Sequence, residues 1–168
     1  MIYEPAEDSY LLQKQVKKFV KKGMKVLDMG TGSGIQALTV FKLDAQVVAV
    51  DINPECVEQV SKLGIKTIES DLFQNIKEKF DLIIFNPPYL PLDEREPKDS
   101  QLSTTGGKTG SEVLNDFLKK AKDYLEKDGK ILIVVSSLTK GIKKHDYHFT
   151  KLSEQKIPDE ILIVYLIE

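Results

Sequence analysis

Short apolar runs alternate with amphipathic segments along this chain, and the alternation constrains its fold more than any other feature. The runs have the length of buried strands, and the segments between them carry apolar residues at helical spacing. Strands that alternate with helices form a mainly parallel sheet with helices on both faces. We therefore predict an α/β protein with a doubly wound, mainly parallel, seven-stranded sheet. The predicted strands are Lys25–Met29, Gln46–Val50, Ile65–Glu69, Phe80–Phe85, Lys130–Val135, His148–Ser153 and Glu160–Leu166.

Helical spacing predicts helices over residues 6–22, 34–43, 54–63 and 110–126. The segment Ser136 to His145, between the fifth and sixth strands, is too short and polar for a full helix. We therefore predict a reduced helix there, and with it either an exposed apolar patch or coverage by another chain. With no linker long enough to divide it, residues 1–168 are predicted to form a single domain.

The composition disfavours a nucleic-acid substrate, an internal disulfide and a membrane-spanning segment. The net charge is -2, and Arg95 is the only arginine, which disfavours a nucleic-acid substrate because arginine reads phosphates and guanines best. Cys56 is the only cysteine, so no internal disulfide is possible. The first residues do not resemble a signal peptide, and no apolar run approaches the ~18 residues of a spanning helix. We expect a cytoplasmic protein that does not enter a membrane.

A glycine-rich turn follows the first predicted strand, in the sequence Asp28-Met-Gly30-Thr-Gly32-Ser-Gly34. Glycines at Gly30 and Gly32 let the backbone approach a ligand closely, but dinucleotide-binding folds use such turns too. The carboxylate of Asp28 would repel a pyrophosphate and attract a cationic amine or sulfonium. The alternative is that Asp28 only braces the turn.

Acidic residues also follow the next two strands. Asp51 ends the second strand, where a carboxylate can accept hydrogen bonds from both hydroxyls of a ribose, and Ile52 could lie against an adenine. Asp71 follows the third strand and could accept from an exocyclic amine, with Leu72 packed on the ring. Each acid alone could be a helix cap or a solvated turn residue. Acids after three successive strands, together with the glycines, favour a nucleoside-containing cationic ligand.

The sequence Asn86-Pro87-Pro88-Tyr89 follows the buried run Phe80–Phe85. The prolines end the strand, since neither can donate to a ladder. The carboxamide of Asn86 and the carbonyl of Pro87 can accept the two hydrogens of a planar amino group, on which Tyr89 can stack. These acceptors would hold a weakly nucleophilic nitrogen in line with an electrophile. The alternative is a tight turn that ends a strand.

Together these motifs resemble those of class I S-adenosylmethionine-dependent methyltransferases, which have a Rossmann-like fold. Asn-Pro-Pro-Tyr is typical of the members that methylate amino groups. The opening Tyr3-Glu-Pro-Ala-Glu-Asp-Ser9 and the glycine-rich segment 106–110 resemble the eukaryotic and archaeal release-factor glutamine methyltransferases, which are related to HemK. The resemblance extends from residue 1 to about residue 136 and implies that the cofactor is S-adenosylmethionine.

By position, the resemblance implies cofactor contacts at the residues Ser9, Asp28, Gly30, Gly32, Asp51, Ile52, Asp71, Leu72 and Asn86. Asn86, Pro87 and Tyr89 would form the catalytic group that holds a glutamine side-chain amide. The implied substrate is the glutamine of the Gly-Gly-Gln motif in a class 1 translation release factor. A small zinc-containing activator subunit is the implied partner, which would make the enzyme a heterodimer. The chain departs from the family at Ser111, where arginine is usual.

Two other functions remain open from the sequence. The sequence Asn-Pro-Pro-Tyr could equally bind the N6 amino group of adenine or the N2 amino group of guanine in DNA or RNA. Against this, no separate base-recognition domain is predicted. The chain could also be a non-catalytic module that binds the cofactor and recruits a partner. No metal site is expected in the chain, because His145 and His148 have no third ordered ligand nearby in the sequence.

Overall fold

The computed structural model describes residues 1–168 and contains one seven-stranded sheet in the order β3-β2-β1-β4-β5-β7-β6. Every neighbouring pair from β3 to β5 is parallel, and β7 is antiparallel to both β5 and β6. The predicted doubly wound, mainly parallel sheet is therefore confirmed. The strands are β1 Lys25–Met29, β2 Gln46–Asp51, β3 Lys66–Glu69, β4 Phe80–Phe85, β5 Leu125–Ser136, β6 Phe149–Ile157 and β7 Glu160–Ile167.

The helices are α1 Glu7–Phe19, α2 Ile35–Lys42, α3 Pro54–Ser61, α4 Lys98–Thr104 and α5 Glu112–Ala121. Helix α1 ends before the predicted residue 22 because Val20 already has an extended backbone. Helix α4 was not predicted, and α5 gives way to a single 3₁₀ turn over Lys122–Tyr124. Strand β5 begins five residues earlier than the predicted Lys130, because Leu125 pairs with Phe80 across an irregular register. No helix in the structure has the length and apolar composition needed to span a bilayer.

Side chains alternate between two apolar cores, one on each face of the sheet. In β4, Leu82 and Ile84 face the core covered by α1, α2 and α3, whereas Ile83 and Phe85 face the core covered by α5. Both cores contain fully buried strand residues, so β1 and β4 are covered on both sides. This burial explains why their sequences read as continuous apolar runs.

Residues 137–148, between β5 and β6, contain no helix, which confirms the predicted reduction. Where we expected either an exposed apolar patch or coverage by another chain, the connection itself covers part of the sheet. Ile142 and Tyr147 pack on the α5-side core, and the Tyr147 hydroxyl donates to the Leu118 carbonyl oxygen at 2.9 Å. On that face Ile163 and Tyr165 of β7 are half-buried rather than exposed.

Candidate active site

A cavity of about 250 Å³ lies at the carboxyl ends of β1, β2 and β4 and beside the turn that follows β3. Strand order reverses at β1, which lies between β2 and β4, and ligands of open α/β sheets bind at such a point. Every site residue predicted from the sequence lines this one cavity. These residues are Ser9, Asp28, Gly30, Gly32, Asp51, Ile52, Asp71, Leu72, Asn86, Pro87 and Tyr89.

The glycine-rich turn between β1 and α2 has the backbone that its sequence predicts. Gly30 and Gly32 have φ angles of 64° and 55°, in the left-handed region that glycine adopts without strain. A Cβ at Gly30 would lie 3.2 Å from the Phe85 ring, closer than ordinary van der Waals contact, so the ring would have to shift to admit a side chain there. The Gly32 amide donates to Asp51 Oδ2 at 2.9 Å, which ties the turn to the end of β2.

Asp28 stabilises this turn through hydrogen bonds and is also a buried ionisable group at the cavity. Its Oδ2 accepts from the Thr31 hydroxyl at 2.7 Å and from the Ala37 amide at 3.0 Å. The side chain is 2% exposed, and burial raises the pKa of the Asp28 carboxyl to about 7 despite these hydrogen bonds. A cationic ligand in the cavity would stabilise the ionised form.

Asp51 occupies the end of β2 and is buried. Besides the Gly32 amide on Oδ2, its Oδ1 accepts from the Asn53 amide at 2.9 Å. A carboxylate has about four lone-pair sites, so both oxygens retain capacity for ligand hydroxyls. The next residue, Ile52, is 49% exposed at the cavity wall, where an apolar side chain can cover a flat ring.

The turn after β3 is held by Ser70 and Asn75. The Ser70 hydroxyl donates to the Leu72 carbonyl at 2.8 Å and accepts from the Asn75 amide at 2.9 Å. Leu72 has a φ of 47°, a left-handed conformation that a leucine rarely adopts and that often marks functional turns. Next to it, the exposed carboxylate of Asp71 has no side-chain hydrogen bond within the chain. It is free to accept from a ligand.

The turn after β4 is tied to the start of α1 by a residue that the sequence analysis did not select. Asp8 is 3% exposed and accepts from the Asn86 side-chain amide at 3.1 Å and from the Tyr89 hydroxyl at 3.0 Å. Tyr89 is itself buried, and desolvation together with the Asp8 charge raises the pKa of its hydroxyl far above the ordinary value. Tyr89 therefore also braces the turn, beyond the stacking predicted for it.

Gln36 at the start of α2 is a second residue that the sequence analysis missed. Its Nε2 donates to the Ser9 carbonyl oxygen at 2.8 Å, which fixes Ser9 against the cavity. Its Oε1 is buried without a hydrogen-bond partner in a side chain that is 3% exposed. An unpaired buried acceptor is costly, and a ligand ammonium or hydroxyl would satisfy it. Glutamine within a helix gave no sequence signal of this role.

The glycine-rich segment 106–110 packs against the Asn86–Tyr89 turn. A Cβ at Gly106 would lie 2.3 Å from the Pro88 carbonyl oxygen, and one at Gly110 would lie 2.4 Å from that of Tyr89. Ser111, where the resembled family usually has arginine, is 1% exposed, so its small side chain suits a closely packed position. Three residues at the end of α4 also line the cavity, Leu102, Ser103 and Thr104, and of these Leu102 is exposed.

The fold is that of a solved methyltransferase, and the family model that matches the chain is also one of methyltransferases. The methyltransferase small domain family matches residues 7–163, and the chain belongs to this family.

Individual relatives and a solved structure agree with this assignment. The chain is 44% identical over 147 residues to MJ0928 of Methanocaldococcus jannaschii, whose name assigns it provisionally as a protein N5-glutamine methyltransferase; the match covers 82% of this chain and 74% of that protein. It is 30% identical over 151 residues to Methyltransferase HEMK2 of Homo sapiens, covering 79% and 71%. The solved structure of the E. cuniculi Mtq2-Trm112 complex, which methylates the translation termination factor eRF1, matches with a TM-score of 0.80. Its sequence identity is 27%, and the match covers 99% of this chain and 98% of the solved chain.

Proposed function

We propose that this protein is an S-adenosylmethionine-dependent N-methyltransferase that acts on the glutamine side-chain amide of the Gly-Gly-Gln motif in a class 1 translation release factor. One observation carries the proposal: Asn86 and Pro87 open onto the same cavity as Asp28, Asp51 and Asp71. Hydrogen-bond acceptors suited to an amide –NH2 group and acidic groups suited to a cationic nucleoside thus line the same cavity. The names of the relatives, and the reaction of the Mtq2-Trm112 complex, support the choice of acceptor.

The residues around the cavity fit S-adenosylmethionine. The orphaned Gln36 Oε1 and the buried carboxylate of Asp28 suit a cationic amino-acid end. Asp51 retains acceptor capacity for ribose hydroxyls, and the exposed Ile52 suits an adenine face. When bound, the cofactor would supply an activated methyl group.

The chain's own contribution would be to position the acceptor nitrogen and to favour its attack. An amide nitrogen is a poor nucleophile because its lone pair is delocalised into the carbonyl. Hydrogen bonds from its two hydrogens to Asn86 Oδ1 and the Pro87 carbonyl would return electron density to the nitrogen and fix its orientation. The nitrogen becomes positively charged as it gains the methyl group and then releases a proton to solvent. No strong general base is needed.

We also propose a small zinc-containing partner subunit and a cytoplasmic site of action. A protein substrate needs an extended contact surface, and a second chain could supply part of it. Stable recognition of a protein buries roughly 1,200 Å² or more. The Mtq2-Trm112 complex, in which a chain of the same fold is paired with a second chain, supports the proposed partner.

Transfer of labelled methyl from S-adenosylmethionine tests the proposal. The acceptors would be a native class 1 release factor, the same factor with its Gly-Gly-Gln glutamine replaced, and ribosomal RNA, each with and without the zinc subunit. We expect label only on the native factor, with greater transfer when the subunit is present. Label on RNA alone, or equal label on both forms of the factor, would refute the proposed acceptor.

A further inference from the structure

Asp8 is the centre of a buried hydrogen-bond network that includes Asn86. Its Oδ1 accepts from the Ser9 backbone amide at 2.7 Å and from the Tyr3 hydroxyl at 3.1 Å. Its Oδ2 accepts from the Tyr89 hydroxyl at 3.0 Å and from Asn86 Nδ2 at 3.1 Å. The carboxylate thus joins the start of α1 to the turn after β4.

The hydrogen bonds to the Asp8 carboxylate fix the orientation of the Asn86 side chain. A side-chain amide has one donating end and one accepting end, and only the surroundings decide which way it points. An ionised carboxylate can only accept, so it selects the –NH2 end of Asn86. The Oδ1 of Asn86 must then point away from Asp8. A carboxamide in the opposite orientation would place two acceptors 3.1 Å apart in a partly buried site and would point its own –NH2 at the acceptor nitrogen.

We propose that Asp8 is a positioning residue for methyl transfer, which holds Asn86 in the one orientation that presents Oδ1 to the acceptor amide. Asp8 acts only through Asn86 and does not touch the acceptor. This inference rests on the proposed function, because it assigns Asn86 the part of hydrogen-bond acceptor for the substrate nitrogen.

The variant Asp8→Asn tests the inference with almost no change in side-chain volume. The Ser9 amide needs an acceptor on its side of the side chain, so the new carboxamide must turn its oxygen there and its –NH2 toward Asn86. Asn86 would then flip and turn its own –NH2 toward the acceptor. We expect turnover to fall about 100-fold, the loss typical of one preorganised group, while cofactor affinity changes less than about threefold. Glu7→Gln, which removes an exposed carboxylate one residue away on α1, is the matched control and should leave turnover unchanged.

A rescue experiment separates positioning from a loss of folding. Asn86→Asp alone would place two carboxylates in contact and should abolish turnover. In the double variant Asp8→Asn with Asn86→Asp, the new amide can donate to the new carboxylate, whose other oxygen faces the acceptor. We expect at least about tenfold recovery over Asn86→Asp alone. Wild-type turnover in Asp8→Asn, or no recovery in the double variant, would overturn the inference.

A measurement without any acceptor keeps this inference distinct from the proposed function. The side-chain amide protons of Asn86 can be observed by NMR in isotopically labelled protein. In the wild type, the proton donated to Asp8 should be shifted downfield, and in Asp8→Asn this shift should be lost. If the wild type methylates no release factor, the proposed function fails and this resonance alone decides the orientation of Asn86. Absence of the downfield shift in the wild type would overturn the inference.

Discussion

At the scale of single residues, the cavity separates groups that would hold the cofactor from groups that would hold the acceptor. Asp51 bonds to the Gly32 amide on the cofactor side, whereas Asn86 bonds to Asp8 on the side of the turn after β4. Because these contacts lie on different strands, their loss should have different kinetic consequences.

We predict that Asn86→Ala lowers kcat about 100-fold or more and leaves cofactor binding nearly unchanged, since it removes an acceptor used during transfer. Asp51→Ala should do the reverse and weaken cofactor binding about tenfold or more, since it removes a charged acceptor and releases the glycine-rich turn. Calorimetric titration with the cofactor and single-turnover transfer measure the two effects. Equal losses of binding and turnover in both variants would contradict this separation.

The buried carboxyl of Asp28 should make the stability of the folded protein depend on pH. In the folded protein the pKa of the Asp28 carboxyl is raised from its ordinary value of 3.8 to about 7. As pH rises, the unfolded chain therefore loses this proton before the folded protein does. Stability should therefore fall between about pH 4 and pH 7, and a shift of this size corresponds to a few kcal/mol. Asp28→Asn should lack this fall in urea unfolding, while Asp71→Asn, an exposed acid at the same cavity, is the control. Parallel stability curves for the wild type and Asp28→Asn would refute the prediction.

Most of the predicted site residues lie at or just after the carboxyl end of a strand, where a parallel sheet binds its ligands. Asp8 and Gln36 could not be predicted in the same way. Asp8 lies 78 residues before Asn86 in the chain, and only the packing of α1 against the sheet brings the two together. The family resemblance of the segment Tyr3–Ser9 implies a cofactor contact for Ser9 but no role for Asp8.

At the scale of elements, the glycine-rich segment 106–110 is built to lie against the Asn86–Tyr89 turn. We predict that Gly106→Ala lowers turnover at least about tenfold, because the added Cβ would lie 2.1 Å from the Gly110 carbonyl oxygen and 2.3 Å from that of Pro88. Neither backbone can yield without moving the acceptor site. Gly64→Ala is the control, since its Cβ would meet no atom within 4 Å and only backbone strain would result. Similar turnover in the two variants would show that the segment does not support the site.

The connection between β5 and β6 supports the same turn from the other side. The buried Thr139 hydroxyl donates to the Tyr89 carbonyl at 2.9 Å and accepts from the Ser136 amide at 3.3 Å. Thr139→Val would remove both hydrogen bonds, so we predict a loss of about 1–3 kcal/mol in urea unfolding together with reduced turnover. The exposed Thr150→Val in β6 should cost much less. Equal stability of the two variants would contradict this role.

Helices and strands could be predicted where the hydrophobic periodicity of the sequence is strong. The residues at which they begin and end could not be predicted as well. Strand β4 has the predicted limits, because five of its six residues are apolar and prolines follow closely after its end. Strand β5 extends to Leu125 through the exposed charged residues 126–128, for which no apolar pattern exists. Helix α4 is short, has no buried residue and lies in a polar segment, so hydrophobic periodicity could not reveal it.

At the scale of the whole molecule, the order of strands explains why distant motifs converge. Strand β1 lies between β2 and β4, so Asp28, Asp51 and Asn86 meet at one edge of the sheet although 58 residues separate the first from the last. The sequence predicts the sheet and this edge. It could not predict that the connection of residues 137–148 would fold back over the uncovered face, because those contacts depend on single side chains such as Tyr147.

The proposed reaction requires that the methyl acceptor is a glutamine side-chain amide held by Asn86. Tandem mass spectrometry of the release factor after reaction with the cofactor, the zinc subunit and either wild-type protein or Asn86→Ala tests it most directly. We predict one added methyl group on the side-chain nitrogen of the Gly-Gly-Gln glutamine with the wild type, and almost none with the variant. A methyl group on another residue, or an unmodified factor while ribosomal RNA gains methyl groups, would contradict the account.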